Sequence, residues 1–401
     1  MTAEKQSVNA AEQFTYQLCR ESFLSLWSYR NPKQHPKGKE LCDVLVVCDP
    51  DIVIFSVKEI TLKSTNRPDI DAERWRRKAI EASSAQIYGA ESTIRALDHV
   101  TRSDDESGVL IPANPHVHRI AVAFGGQNKV PLPYGDFGKG FVHVFNERSL
   151  LVLLQELNTI TDFVSYLTAK ESYHNSDTTM LFQGEEEDLL ALYIHGGRRF
   201  PSTYDLVIGG RGLWNQMKEN PDYKWRVAED RPSYMWDNLI EIFCRDTLKG
   251  RLEFGPGLSE TERAVRVMAR EQRFARRVLA KAFKEFLDSS QQVRARLAGS
   301  PSGVRYVFLA TPRSIARKYR VAELGNRCFV ARGLSQDATT IVGIGTERYE
   351  KGEGFSLDLV HLYIPMWTSE YQSRMDAMQR ELGYFVSPRL TKTSEDEYPV
   401  A

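Results

Sequence analysis

Two apolar runs, "DVLVV" and "IVIFSV", flank the turn-forming "CDPD" and predict a hairpin of buried strands. Polar residues mark its ends: Glu40 and Asp43 stand where the first strand begins, and Lys58 and Glu59 close the second. Upstream, "NAAEQFTYQLCRESFLSLWSY" reads as a helix that Asn9 could cap, with Phe14, Leu18 and the run from Phe23 to Trp27 at helical spacing. The polar "RNPKQHPKGK" links it to the hairpin as a loop. After "STNRPDI", the spacing of Trp75, Ala79, Ala82, Gln86 and Ala90 predicts a second helix. The polar "TRSDDESG" reads as a loop. "VHRIAVAF" and "GFVHVF" read as strands separated by the loop "GGQNKVPLPYGDFGK", and "NERSLLVLLQELNTITDFVSYL" returns to helix. Helix, hairpin, helix, strand, strand, helix is the order of an α/β domain over residues 1–175, a mixed sheet flanked by helices.

Beyond the acidic "GEEEDLL" the pattern changes, and residues 185–401 read as a second, α+β domain. A long helix is expected over about residues 260–297, then strands in "GVRYVFLA", "TTIVGIGTE" and "FSLDLVHLYIP", and a last helix around "SEYQSRMDAMQRELGYF". The tail "TKTSEDEYPVA" is polar and reads as frayed.

Composition narrows the partners. The 401 residues carry a formal net charge of zero, so attraction to nucleic acid has to come from local patches. No secretory signal is visible in "MTAEKQSVNAAEQF", and no apolar run approaches a membrane span. Five scattered cysteines without CxxC spacing suggest reduced thiols in a cytoplasmic protein and argue against structural zinc. His116 and His118 alternate on a strand without a third ligand, and surface or loop-end histidine is expected. "YIHGGRRFP" reads as a tight turn. The sequence contains no GxGxxG, Walker or GxSxG motif, which argues against dinucleotide cofactors, ATP use by the usual loop and a serine-hydrolase elbow.

Carboxylates on one strand and a lysine on its hairpin partner can converge at one sheet edge. Hydrolysis of a phosphodiester needs a divalent ion, an activated water and stabilisation of charge on phosphate. Magnesium-like ions prefer carboxylate oxygens. In this ordered set of motifs the first domain resembles the PD-(D/E)xK nuclease superfamily, and within it the Mrr-type restriction endonuclease-like branch. The resemblance covers about residues 9–170. It matches Glu12 to the helix glutamate, Asp43 to the metal-binding aspartate and Lys58 to the lysine, with "IAVAF" and "FVHVFNERSLLVLLQEL" in the downstream positions.

Ser56 departs from that pattern, because it stands where the family has Asp, Glu or Gln. The missing carboxylate could come from Glu40, or from Glu59 if the strand ends or bulges there, since alternation sends Glu59 to the opposite face from Lys58. Gln86 could face the site or be a satisfied buried amide. What the resemblance implies is a Mg2+- or Mn2+-dependent endodeoxyribonuclease acting on DNA in restriction or defence against foreign DNA. Asp43, Glu12 and Glu40 would hold the metal, with Lys58, Ser56, Glu59 and Gln86 around them. The rival is a catalytically silent nuclease fold that binds nucleic acid or a protein partner, which Ser56 favours. The basic run Arg74, Arg76, Arg77 and Lys78 could contact phosphates or be a solvated helix face. The arginine-rich stretch Arg263, Arg266, Arg270, Arg273, Arg276, Arg277, Lys281 and Lys284 could track a nucleic-acid backbone or be the outer side of a packed amphipathic helix. Which nucleic acid is cut, what the second domain binds and whether the chain forms a homo-oligomer are left open.

Overall fold

The computed structural model describes residues 9–399, apart from 64, 66, 105, 127–129, 131, 252–257, 293, 351 and 387–394. It is a mixed α/β structure that divides into two units, Met1–Asn220 and Pro221–Ala401. The loops anticipated at "TRSDDESG" and "GGQNKVPLPYGDFGK" fall in part outside the described residues, as do the stretch "STNRPDI", the start of "MTAEKQSVNAAEQF" and the ends of "TKTSEDEYPVA".

The first unit is built on a six-stranded sheet. Its order is Ser28–Arg30, Val44–Cys48, Asp51–Glu59, His116–Phe124, Phe141–Phe145 and Gly135–Asp136. The hairpin is antiparallel, whereas Asp51–Glu59, His116–Phe124 and Phe141–Phe145 run parallel. Both hairpin strands are buried almost throughout, which their continuous β-branched runs require. Helix Ala10–Phe23 starts at Asn9, whose side chain accepts from the Ala11 amide. It packs on the strand face that carries Phe124, where Phe14 meets that ring edge-on at 6.1 Å.

The helical segments Pro68–Arg76, Arg77–Glu81 and Ala82–Ile94 run on from one another and cover the other face, with Trp75, Ala79, Ile80, Ile87 and Ile94 against Leu45, Ile54 and Ala121. The middle segment is a π-turn, whose extra residue rotates the buried stripe. Ala82, expected inside, is therefore exposed, and Ser83 and Ile87 turn inward instead.

The single helix expected after "GFVHVF" is two, Glu147–Glu156 capped by Asn146 and Ile160–His174 capped by Thr159. The polar links hold a small sheet of Lys33–Gln34, His99–Thr101 and Gly108–Leu110. Helix Glu186–His195 and the parallel pair Thr179–Phe182 and Leu206–Gly209 also belong to this unit. Around "YIHGGRRFP" the backbone is left-handed at Gly197 and Arg198, and Arg198 pairs with Asp162 at 3.2 Å, so the stretch is a tight turn.

The second unit holds a four-stranded sheet in the order Ala295–Gly299, Arg305–Thr311, Thr340–Glu347, Leu357–Tyr363. Helix Arg317–Leu334 joins the two central parallel strands. It lies so close that a Cβ at Gly343 would come within 2.6 Å of Cys328 Sγ. The helix expected over 260–297 is interrupted. It consists of Leu258–Ala269 and Arg273–Asp288, and the end of the stretch is the strand Ala295–Gly299. Arg276 explains the break, since its guanidinium donates to the carbonyls of Ala269 (2.5 Å) and Glu271 (3.0 Å) and caps the first helix.

The basic residues of this stretch do not form a free outer face. Arg273, Arg276 and Arg277 are buried; the first two pair with Asp237 at 2.7 Å and the third with Asp230 at 3.2 Å. Lys281 pairs with Glu229 and Glu395, Lys284 with Asp288 and Arg266 with Glu262. The stretch is a charge-balanced packing element, with Arg273, Arg276 and Arg277 turned inward and not on an outer side. Part of the tail is held in the same network, with Glu395 on Lys281 at 2.6 Å and the Asp396 carbonyl accepting from Arg277. That part is anchored and not frayed.

Candidate functional site

The hairpin register decides which polar residues can meet. Val44 pairs with Phe55, so Asp43, one residue earlier, faces the same way as Ser56, and Lys58 follows two residues on. Asp43 is buried and its Oδ2 accepts the Val57 amide at 2.5 Å, just past the last backbone pair of the hairpin. Ser56 Oγ donates to Gln86 Oε1 at 3.1 Å, and both side chains lie close enough to Asp43 to favour its charged form. Gln86 thus belongs to the cluster and does not bury its amide elsewhere.

Glu12 comes from the helix on the opposite sheet face, where Asn9 Nδ2 donates to its carboxylate at 3.0 Å. Glu40 lies in the approach to the first strand, on a residue bridged to Lys33. Burial raises the Asp43 pKa, against the Val57 amide, Lys58, Ser56 and Gln86. Glu12 is raised by burial and then by the charge of Asp43, against Asn9, Arg30 and Lys58. Glu40 is raised by partial desolvation, then by Asp43 and by Glu12, against Lys58 and Arg30. Three carboxylates therefore share one electrostatic neighbourhood with one lysine and one arginine, and the two cations do not offset the cost of ionising them.

Glu59 is not brought in. The strand keeps an unbroken parallel register through Lys58↔Ala123 and Glu59↔Phe124, with no bulge, so Glu59 points away from Lys58 and is exposed. Arg30 is the member that sequence reasoning missed. It ends the three-residue edge strand Ser28–Arg30, opposite Val44, and its Nη1 donates to Gln13 Oε1 at 2.8 Å. The sequence pattern runs the first helix on through Tyr29 and puts Arg30 in the loop "RNPKQHPKGK", whereas the helix ends at Phe23 and the strand is only the three residues "SYR".

Of the basic run, Arg74, Arg77 and Lys78 are exposed and make no ion pair among the described residues. Arg76 pairs with Glu73 at 2.7 Å, and the Trp75 indole donates to the Ile60 carbonyl at 2.7 Å, pinning the helix to the sheet end. The paired histidines lie at the other end of the sheet. His118 is buried at 3.0 Å from Asp51 and His116 stands at 3.7 Å from the same oxygen, so they share a face, but His118 is not the surface histidine expected.

The donor set of Asp43, Glu12 and Glu40 is all oxygen, which suits a hard divalent ion such as Mg2+ or Mn2+. Among the described residues, no three His, Cys, Asp or Glu side chains are gathered closely enough to hold a metal ion as they stand. The half-buried Glu12 and the exposed Glu40 are the two with room to move toward Asp43. Comparison with known protein families, with curated proteins and with solved structures gives no match for this chain. No helix among the described residues is long and apolar enough to cross a membrane.

Proposed function

We propose that the first unit is a PD-(D/E)xK-type, Mrr-like nuclease domain that cleaves DNA with the help of Mg2+ or Mn2+, in the setting of restriction or defence against foreign DNA. The observation that carries this reading is the meeting of Asp43, Ser56 and Lys58 on one sheet face with Glu12 and Glu40 coupled to them electrostatically. Carboxylates that repel one another gain from a cation among them. Asp43, Glu12 and Glu40 would hold that ion, which when bound supplies charge neutralisation and an activated water at the phosphate. Lys58, emerging beside Asp43, is placed to neutralise charge on phosphate or to take a proton from water. Ser56 and Gln86 orient the Asp43 carboxylate. Arg74, Arg77 and Lys78 are free to contact phosphates.

A second reading, a silent nuclease fold that binds nucleic acid or a protein, is favoured by one observation. The position that should supply a second metal-binding carboxylate is Ser56, whose hydroxyl is buried in its bond to Gln86. A digestion panel of duplex DNA, single-stranded DNA and RNA with Mg2+, Mn2+ or chelator separates the two. The nuclease reading expects metal-dependent cleavage of DNA that Lys58→Ala and Asp43→Asn each lower by about 10²–10⁴-fold. Cleavage that survives exhaustive chelation, or that both variants retain in full, rules it out. Binding without cleavage under every condition leaves the silent module.

A further inference from the structure

Beside the candidate site lies a cleft of about 380 Å³, within the roughly 300–1,000 Å³ typical of ligand pockets. It opens at the carboxyl end of strand His116–Phe124, where Ala123, Phe124 and the two glycines that follow form one wall. Carboxyl ends of parallel strands are where open α/β sheets bind their ligands. Phe14, Trp75 and Leu151 add to the apolar lining, and Glu147 and Arg148 stand at its rim. The glycines are required there. Gly125 has φ +84°, with Ile60 O only 2.4 Å from where a Cβ would sit, and a Cβ at Gly126 would meet the Trp75 ring at 2.8 Å. The backbone is thus pressed against the buried indole, which leaves Phe14 as the half-buried aromatic side chain of the cleft.

Register fixes how near this cleft is to the chemistry. Ala123 on its wall is the parallel partner of Lys58. Neighbouring strands lie about 4.8 Å apart, so a phosphate at Lys58 and a ring in the cleft can belong to one nucleotide or to adjacent ones.

Resting on the nuclease reading above, we infer that this cleft receives one unpaired nucleobase next to the phosphate held at Lys58, so that the substrate is a single strand or a duplex with an extruded base. Every base offers a π-face to aromatic side chains, which makes such a cleft tolerant of sequence. At the rim, the Arg148 guanidinium and the Glu147 carboxylate offer a donor and an acceptor to a base edge. Arg148 keeps about half of its side-chain surface exposed while paired with Glu187 at 2.9 Å, so it is held in place yet reachable. A base still stacked in a duplex cannot enter a cleft of this kind without being turned out of the helix.

The test is equilibrium binding by fluorescence anisotropy with Mg2+ present, using the full chain in an Asp43→Asn background so that cleavage does not consume the probe while Lys58 stays in place. The probes are one labelled oligodeoxynucleotide as a single strand, as a perfect duplex and as a duplex with one unpaired base. The parent should bind the two probes with an unpaired base about tenfold more tightly than the perfect duplex. Leu151→Trp, which fills the cleft from a half-buried wall position, and Phe14→Ala, which removes an aromatic face, should each abolish that preference and leave duplex affinity unchanged. Thermal melts confirm that both variants fold. Equal affinity for all three probes, no binding of any, or a preference that survives both variants overturns the inference. The digestion panel judges the nuclease reading separately: metal-dependent cleavage with no effect of the cleft variants removes the base pocket alone, and a base preference without cleavage removes the nuclease alone.

Discussion

The edge of the first unit's sheet and the interior of the second unit both concentrate charge, with opposite outcomes. In the second unit, Arg320 is buried between Glu347 and Asp358, 2.5 Å from each. Burial works to raise Glu347, yet Arg320 and Ser356 hold it at about 2. Arg273 and Arg276 share Asp237, and Arg277 and Arg226 take Asp230, although burial still raises that aspartate. At the strand ends of the first unit, Asp43, Glu12 and Glu40 are instead all raised, by burial first, with Lys58 opposing at all three and Arg30 at the two glutamates. Buried charge that finds its partners within the same unit acts as packing. Carboxylates left short of cations keep a cost that a proton or a bound cation relieves, and perturbed carboxylates of this kind cluster at functional sites.

The largest effect should come from breaking the matched network. Arg320→Ala leaves Glu347 and Asp358 without their shared partner, and removing one side of a buried pair typically costs about 3–5 kcal/mol. Denaturant unfolding of the full chain should show that loss in the transition of the second unit, while Asp43→Asn leaves that transition in place. An Arg320→Ala protein as stable as the parent would mean that the pairing contributes nothing. The same network sets an acid limit. Because Glu347 lies below the ordinary glutamate value near 4.5, its contribution is complete above that value and is lost as pH falls toward about 2. Glu347→Gln should therefore be less stable than the parent at neutral pH and converge with it in that window; a constant gap down to pH 2 would contradict the pairing.

A smaller effect separates free cations from committed ones. Arg74, Arg77 and Lys78 are exposed and make no ion pair among the described residues, whereas Arg276 is buried and paired. Replacing the first three with alanine should weaken DNA binding and flatten the dependence of log K on log salt by about one unit per residue. Arg276→Ala should change stability but not that slope. Salt titrations that show the reverse would return the arginine-rich stretch to the role of a nucleic-acid track.

What the sequence made legible follows from period and order. The hairpin, its polar ends and the shared side of Asp43 and Lys58 were readable because strand alternation assigns faces without knowledge of the rest of the fold. Glu59 was correctly suspect on the same ground. Arg30 was not readable, since a three-residue edge strand leaves almost no pattern. Nor was the fate of the arginine-rich stretch, because helical spacing shows which residues share a side but not that Asp230 and Asp237, some forty residues earlier, neutralise that side. Helix Arg317–Leu334 stayed hidden for a related reason: its buried side includes Arg320, Arg327 and Arg332, which blur the apolar stripe that marks a packed helix.

The smallest predicted effect is the most direct reading of the unmatched edge. Glu40 is raised above the ordinary glutamate value by partial desolvation, by Asp43 and by Glu12. A carboxylate with a raised folded pKa costs nothing while it is protonated in both states; the cost grows as pH rises past the unfolded value and is complete above the folded one. Without divalent metal, Glu40→Gln should therefore match the parent at pH 4 and be slightly more stable at pH 7. Because Glu40 is largely solvent-accessible, screening limits the gain to less than about 1 kcal/mol. Adding Mg2+ should reverse the order, since the parent gains stability from a cation that binds only its folded state and the variant gains less. Thermal melts at the two pH values, with and without Mg2+, read all four terms. If Glu40→Gln lowers stability at pH 7 without metal, the carboxylate is already compensated by the protein itself, and the sheet edge belongs with the balanced interior of the second unit after all.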